Sequence, residues 1–360
     1  MRESRISANS IARRRPDQLT DNNRAAKRER ARGVTKLKSK VIPERCQRAE
    51  RLDAPAKRDK VIGTRLLASA DLMTPYRIAI LSDIHGILTS LNTALDEILR
   101  DPPDEIVVSG DFVGGPQSHE VLARLRELNA RFILGNGEIR ILQMRERTAP
   151  PEWWTHRQFD LSRFVFERLT EDDLTFIATL PEQLHLAYNG ADPIRVVHAT
   201  PWSATELLYP DRNPALLAQA LGAIEEKVLI LGHIHQPGIY RLDGKLAVNA
   251  GALSNNLTGQ SQISYASLDW SGEGWQPALH ILKPDLAGIK ASFIETGFYE
   301  AAYPFSRAFL ESIHTGEDVP QNLLTAAFEQ AAAAGLEEID IIPDDHWLAA
   351  GENFPWKMEF

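Results

Sequence analysis

The stretch RIAILSDIHG, at residues 77–86, decides the fold of this chain. The residues between Arg77 and Ser82 are all apolar, which predicts a buried β-strand. Asp83 and His85 follow this strand directly, and Gly86 allows the backbone to turn sharply after them. A buried strand that ends in polar side chains is typical of an α/β sheet that binds its ligands beyond the carboxyl ends of its strands.

The residues after this strand alternate between helical and extended patterns. Apolar spacing predicts helices over 89–100 and 117–129 and strands over 105–109 and 131–134. This order implies a parallel sheet with right-handed crossovers. Residues 183–282 are rich in short strands instead. We therefore expect an α/β fold with two packed mixed sheets flanked by helices, a four-layer α/β/β/α sandwich.

Composition divides the chain into three parts. Residues 1–72 carry 20 Lys/Arg and 9 Asp/Glu, whereas residues 73–360 carry 20 Lys/Arg and 40 Asp/Glu. We expect residues 1–72 to be a disordered basic segment, because they have too little apolar surface to offset the entropy lost on ordering. Residues 73–283 are predicted to form the main domain. Residues 284–360, with their aromatic residues and an Ala-rich stretch, are predicted to form a mostly helical C-terminal extension.

Three interpretations of residues 1–72 stay open. The segment is untranslated and the protein begins at Met73, or it is a solvated tail, or it is a targeting peptide. Acidic residues within the segment count against a transit peptide, which is poor in acids.

The rest of the composition points to a cytoplasmic protein. The single cysteine, Cys46, excludes an intramolecular disulfide framework and fits a reducing compartment. No apolar run in the sequence has the length of a membrane span. The acidic body lacks the basic face that nucleic-acid binding needs, so we expect neither a membrane nor a nucleic acid as partner.

Five loops carry polar residues where predicted strands end. Carboxylates, imidazoles and the Asn carbonyl oxygen bind divalent cations, and one carboxylate can bridge two cations about 3.5–4 Å apart. The pattern therefore predicts a two-metal site at the C-terminal ends of the strands, with a hydroxide between the two metals as nucleophile. The candidate metal ligands are Asp83, His85, Asp111, Asn136, His198, His233 and His235.

This set resembles the calcineurin-like metallophosphoesterase superfamily over about residues 76–282. The matching motifs, in family order, are Asp83-Ile-His85, Gly110-Asp111, Gly135-Asn136, His198 and Gly232-His233-Ile-His235. The third motif continues to Glu138 and is similar to that of small bacterial phosphodiesterase-type members. The resemblance implies one metal on Asp83, His85 and His235. It implies a second metal on Asn136, His198 and His233, with Asp111 bridging the two.

The resemblance also implies catalytic roles for Asp111, Asn136 and His198, and two divalent ions as cofactors. Mn is the expected metal, with Fe, Zn and Co as alternatives. Many members have a histidine after the Asn, where it helps to protonate the leaving oxygen. Gly137 stands there in this chain. We therefore expect phosphodiesters or activated monoesters as substrates, with Asn136 and Arg140 as candidate substrate contacts.

Other functions on the same site and fold stay open. They are a protein phosphatase, a nucleotide phosphatase and a non-catalytic scaffold like the retromer subunit that resembles this family. A scaffold can lose metal ligands freely, whereas all seven positions are kept here. A serine hydrolase is disfavoured, because the sequence has no G-x-S-x-G turn. The expected partner is a small phosphoester substrate, and the family often forms homodimers.

Overall fold

The computed structural model describes residues 76–336 and 339–360. The first half of this region alternates strands and helices as predicted. Its parallel strands and their connecting helices are β1 (Tyr76–Leu81), α1 (Leu88–Ile98), β2 (Glu105–Val108), α2 (Ser118–Glu127) and β3 (Arg131–Phe132). Two later strands, β9 (Ile263–Trp270) and β10 (Trp275–Leu282), join antiparallel. The first sheet therefore has the order β10-β9-β1-β2-β3.

The second sheet is also mixed. Its strands are β4 (Gln183–Leu186), β5 (Ile194–Val197), β6 (Val228–Leu231), β7 (Gly238–Leu242) and β8 (Lys245–Asn249). Their order is β4-β5-β6-β8-β7, in which β5, β6 and β8 are parallel and the two edge strands are antiparallel. Asp243 and Gly244 connect β7 to β8 with positive φ at both residues, as a tight two-residue hairpin turn requires.

Helices fill the connections and the C-terminal segment. Between β3 and β6 lie α3 (Asn136–Arg145), α4 (Asp160–Arg168), α5 (Glu171–Ile177) and α6 (Pro214–Gly222). Two 3-10 turns, Pro151–Trp154 and Arg157–Phe159, precede α4. After β10 come α7 (Leu286–Glu295), α8 (Phe298–Ala301), α9 (Phe305–Thr315), α10 (Val319–Ala333) and α11 (Asp344–Asn353).

The alternation of side chains along β1 shows how the layers are arranged. Successive strand residues point to opposite faces of a sheet. Ile78 and Ile80 are fully buried between the two sheets, where they share a core with Ile230 of β6. Leu81 lies instead in the core that includes Leu91 of α1. Helix α6 covers the outer face of the second sheet. The predicted four-layer sandwich is therefore confirmed.

The C-terminal segment contributes to the helix-facing core of the first sheet. Phe293 of α7 and Phe309 of α9 are buried in the same cluster as Leu91. Helices α10 and α11 form a smaller core around Leu323 and Trp347. The boundary between 73–283 and 284–360 stays a prediction.

One strand is shorter than the sequence pattern predicts. Residues 131–134 are apolar enough for a four-residue strand, but β3 ends at Phe132. The Ile133 amide still donates to the Val108 carbonyl at 3.1 Å, whereas the Leu134 amide donates to the Pro181 carbonyl at 2.9 Å. The chain thus leaves the first sheet after Ile133, and Leu134 already pairs outside the sheet before Asn136 is reached.

The prediction for residues 1–72 lies outside the described residues. No helix in the described part of the chain combines the length and apolar character that crossing a bilayer would need.

Candidate metal centre

The seven candidate ligands follow the carboxyl ends of strands, as predicted. They lie after β1, β2, β3, β5 and β6. The structure brings six of them into two groups of three, and within each group the ligand atoms lie within 4.8 Å of one another. The first cluster is Asp83, His85 and His235, and the second cluster is Asp111, His198 and His233. The seventh candidate, Asn136, joins the second cluster, because its Oδ1 lies 3.2 Å from Nε2 of His198.

Most of the candidate ligands have an unusual backbone conformation. Positive φ angles of 49–72° occur at Asp83, His85, Asp111, His233 and His235. A non-glycine residue in this region costs on the order of 1–3 kcal/mol and persists only where its surroundings hold it. Here the loops after β1 and β2 hold each other, since the His85 amide donates to the Asp111 carbonyl at 2.9 Å. Such strain concentrates at functional sites.

The Asp83 carboxylate has one satisfied and one unsatisfied oxygen. Oδ2 accepts hydrogen bonds from the Ser82 hydroxyl at 2.6 Å and from the His233 backbone amide at 2.9 Å. Oδ1 is buried and has no hydrogen-bond partner among the described residues. It lies 3.4 Å from Nε2 of His235 and 3.9 Å from Nε2 of His85. A buried oxygen without a donor is destabilising, and a divalent cation between these three atoms would satisfy it. The first cluster therefore fits a metal ion.

Backbone carbonyls fix two of the histidine rings. Nδ1 of His235 lies 3.0 Å from the Asn255 carbonyl, and Nδ1 of His198 lies 2.8 Å from the Ser109 carbonyl. A carbonyl only accepts, so Nδ1 carries the hydrogen in both rings. In the neutral form of each ring, Nε2 is then the nitrogen with the lone pair, and it faces the cluster in each case. Outer hydrogen bonds of this kind are typical of metal-binding histidines.

The ring of His233 is fixed through its other nitrogen, Nε2. Its Nε2 lies 3.2 Å from the Thr205 carbonyl, so Nε2 carries the hydrogen and Nδ1 is left for a metal. The two histidines of the His233-Ile-His235 motif therefore offer different nitrogens to different clusters.

Asp111 belongs to the second cluster and also faces the first cluster. Its Oδ1 accepts a hydrogen bond from the Gly137 amide at 2.7 Å. Its Oδ2 lies 3.8 Å from Nε2 of His85 and 3.6 Å from Nε2 of His198. One oxygen of this carboxylate is thus fixed by the start of α3, and the other faces ligands of both clusters.

Glu138 shapes the loops around Asp111. One of its carboxylate oxygens accepts from the amides of Asp111 at 2.9 Å and Gly135 at 2.8 Å, and the other accepts from the Val113 amide at 2.9 Å. The side chain is fully buried. Glu138 therefore ties the loops after β2 and β3 together, and its oxygens are already occupied by backbone donors.

The electrostatics match a site for cations. Burial acts to raise the pKa of Asp83, but the neighbouring His235 outweighs it and the resulting pKa is about 2. Burial opposes the charged form of His198, but the Asp111 carboxylate outweighs it and raises the pKa of the imidazole to about 10. The pKa of His233 falls to about 4, because of its burial and the nearby His198. Burial also acts to raise the pKa of Asp111, but the neighbouring His198 outweighs it and lowers that pKa, so the carboxylates of Asp83 and Asp111 are anionic at neutral pH and attract positive charge.

Arg140 lies on the helix that begins at Asn136. It follows Asn136 by four residues in α3, so both side chains project from the same helix face. Its guanidinium carbon lies 5.3 Å from the centroid of the Trp153 ring. Burial lowers the pKa of Arg140, and the Asp111 carboxylate acts in the opposite direction. This places the guanidinium within electrostatic reach of the site, and its role as a substrate contact stays a prediction.

Sequence reasoning missed the groups that orient the ligands. The carbonyls of Ser109, Thr205 and Asn255 have no side-chain signature, because any residue supplies a carbonyl. Ser82 was interpreted as the end of a strand and as the candidate nucleophile of the disfavoured serine hydrolase, whereas its hydroxyl donates to the Asp83 carboxylate. No signal in the sequence connects these positions to the histidines that they hold.

Comparison with known proteins supports the same kind of site. The family model of the calcineurin-like phosphoesterase superfamily domain matches residues 76–273, more than half of the chain. An uncharacterized protein of Methanocaldococcus jannaschii is 25% identical over 193 residues, which are 50% of this chain and 71% of that protein.

Two solved structures share the fold. A metallophosphoesterase from Sphaerobacter thermophilus has a TM-score of 0.55 at 23% identity, over 68% of this chain and 100% of that chain. A hypothetical protein from Pyrococcus horikoshii has a TM-score of 0.56 at 16% identity, over 67% of this chain and 98% of that chain. At these identities the likeness concerns the fold alone.

Proposed function

This chain belongs to the calcineurin-like phosphoesterase superfamily, and we propose that it is a two-metal phosphoester hydrolase that favours phosphodiesters. The observation that carries the proposal is the position of Asp111. Its Oδ2 lies within 4 Å of His85 in the first cluster and of His198 in the second. A carboxylate in this position can be shared by two divalent cations.

The candidate ligands form two sets, each of which would hold one cation. Asp83, His85 and His235 would hold one ion, Asn136, His198 and His233 would hold the other, and Asp111 would be shared. When bound, two such ions lower the pKa of a shared water and supply hydroxide near neutral pH. Mn²⁺ is the metal that we propose, although these nitrogen and oxygen ligands also suit Fe, Zn and Co.

The preference for diesters follows from Gly137. An added Cβ at this position would lie 3.1 Å from Oδ1 of Asp111, so even a small side chain is tight here. The neighbouring candidates for a proton donor are engaged elsewhere. Glu138 binds backbone amides, and Nδ1 of His119 pairs with Asp173 at 2.7 Å. Without a general acid, poor alkoxide leaving groups suffer most.

Arg140 supports the binding of an anionic substrate. Its guanidinium lies on the Asn136 face of α3 and stacks near Trp153, where it is partly buried. A planar guanidinium matches the geometry of phosphate oxygens and forms two parallel hydrogen bonds to them. We propose that Arg140 and Asn136 contact the phosphoryl group.

A comparison of two aryl esters tests the proposal. The full chain is stripped of metal with a chelator and supplied with Mn²⁺, and hydrolysis of bis-p-nitrophenyl phosphate is measured against p-nitrophenyl phosphate. Metal-dependent cleavage of the diester above the monoester supports both the site and the meaning of Gly137. A preference for the monoester keeps the site but contradicts the diester preference and favours a phosphatase.

The Asp111→Asn variant is the control in the same assay, because it removes the shared charge and keeps the size of the side chain. Its turnover must fall close to the background rate. If the wild-type chain neither binds metal nor cleaves either ester, the scaffold function becomes the better explanation.

A further inference from the structure

Helix α9, from the C-terminal segment, lies against the first cluster. The ring of Phe309 meets the ring of His85 edge-on, with centroids 6.0 Å apart and an interplanar angle of 86°. Phe309 is buried and also packs against Phe293 of α7, with centroids 5.7 Å apart. His85 thus rests against an apolar side chain that lies outside the family-matched residues 76–273.

The same helix reaches a second ligand through a relay of hydrogen bonds. Ser312 follows Phe309 by three residues, so the two project from one face of α9. The Asn255 side-chain amide donates to the Ser312 hydroxyl oxygen at 2.8 Å. The backbone carbonyl of Asn255 accepts a hydrogen bond from Nδ1 of His235 at 3.0 Å. Both Asn255 and Ser312 are buried.

Contacts on several sides hold α9 in this place. The buried Glu311 carboxylate accepts from the backbone amides of Lys357 at 3.1 Å and Met358 at 3.2 Å. The Ser261 hydroxyl donates to the Ile313 carbonyl at 2.8 Å. After α9, the Gly316 carbonyl accepts from the Gly259 amide at 2.9 Å. The helix is therefore tied to the end of the chain and to the loop that carries Asn255.

We infer that α9 positions the first cluster, with Phe309 fixing the ring of His85 and Ser312 fixing the ring of His235 through Asn255. This inference rests on the proposed two-metal function and makes Phe309 and Ser312 positioning residues for metal binding. Loss of an outer partner of a metal-binding histidine costs about 10–100-fold in metal affinity.

The second cluster is the internal reference. Its histidines donate hydrogen bonds to the carbonyls of Ser109 and Thr205, which lie in the family-matched region. A substitution on α9 should therefore weaken the first cluster selectively.

The test is a Co²⁺ titration of the full chain, followed by visible absorption, in two backgrounds. His233→Ala leaves the first cluster intact, and His235→Ala leaves the second intact. In the His233→Ala background, Ser312→Ala and Phe309→Leu should each weaken Co²⁺ binding about tenfold or more. In the His235→Ala background, neither substitution on α9 should change the affinity for Co²⁺. Equal losses in both backgrounds, or no loss in either, would overturn the inference.

Phe298→Leu is the matched control for Phe309→Leu. Phe298 is fully buried and packs against Phe164 and Phe293, at centroid distances of 5.0 Å each. The Phe298→Leu substitution should lower the melting temperature of the metal-free chain but leave its Co²⁺ affinity unchanged. If it weakens Co²⁺ binding as much as Phe309→Leu does, general loosening of the core explains the result and the role of Phe309 is wrong.

Three further outcomes are separable. If Phe309→Leu fails to fold, Ser312→Ala, which removes one hydroxyl group, decides the inference alone. If the wild-type chain binds no Co²⁺, the proposed function fails first and the positioning role fails with it. If the wild-type chain binds two Co²⁺ ions and the α9 variants bind them normally, only the positioning role fails.

Discussion

The two clusters contain the same number of Asp and His ligands but differ in what supports them. The second cluster is held from within the family-matched region, where the Ser109 carbonyl fixes His198 and the Gly137 amide fixes Asp111. The first cluster takes part of its support from α9, which contacts His85 directly and His235 through Asn255. Two ligand sets of similar chemistry thus differ in their dependence on a segment outside the motifs.

Substitution of the shared carboxylate should have the largest effect, because it acts on both clusters at once. Asp111→Asn keeps an acceptor for the Gly137 amide but removes the negative charge between the clusters. We expect a loss of at least about 100-fold in metal-dependent turnover, or about 2.7 kcal/mol of transition-state stabilisation, with little change in melting temperature. Kinetics and bound metal per chain measure this. Near-normal turnover would show that Asp111 is not shared.

Separate substitutions of His233 and His235 should each remove the metal from one cluster and leave the other cluster occupied. His233→Ala and His235→Ala should each reduce the bound metal from two ions per chain to one, because each removes a ligand from a different cluster. Elemental analysis after dialysis counts the ions. His156→Ala is the control, since His156 lies in neither cluster, and it should keep both ions. Loss of both ions in either ligand variant would contradict two separable clusters.

A methyl group at Gly135 should disturb the junction between the clusters. The new Cβ would lie 2.2 Å from Oδ1 and 2.5 Å from the backbone nitrogen of Asp111. We expect Gly135→Ala to lower the free energy of unfolding by about 1–3 kcal/mol, as overpacking does. Urea titration measures this.

Gly222→Ala is the matched control for this substitution, because nothing lies within 4 Å of a Cβ at this helical residue. It should be neutral or stabilise the fold by up to about 1 kcal/mol. An equal loss of stability in the two variants would mean that the crowding at Gly135 is not the cause.

The smallest effect is expected from substitution of Arg140, the proposed substrate contact. Arg140→Ala should lower kcat/KM for the diester about tenfold, or about 1.4 kcal/mol, because a phosphate contact is lost. Steady-state kinetics at saturating Mn²⁺ measure this. Arg145→Ala is the control on the same helix, because Arg145 donates to the Leu174 carbonyl at 2.9 Å and to Thr175 at 3.0 Å. Equal kinetic losses in both variants would contradict a specific role for Arg140.

The sequence predicted most of the fold, because its signals there are local. The apolar run from Arg77 to Ser82 and the spacing of Leu91 in the following helix are visible within a few residues. The boundary of β3 was wrong, since the Leu134 amide finds a partner in Pro181, which no local pattern connects to it. The function of the C-terminal segment was not readable, because apolar helix faces look alike whether they support a core or a site.

The sequence by itself determined which side chains could bind metal and placed each of them after a strand. These are properties of residue type and of position within one strand and its following loop. Without the family resemblance, the residue pattern left open how the candidates group, and the tertiary structure decided it, since His85 and His235 are 150 residues apart in the chain and their Nε2 atoms are 3.2 Å apart. It also decided which nitrogen of His198, His233 and His235 faces a cluster, because backbone carbonyls at distant positions fix these rings, and carbonyls have no sequence signature.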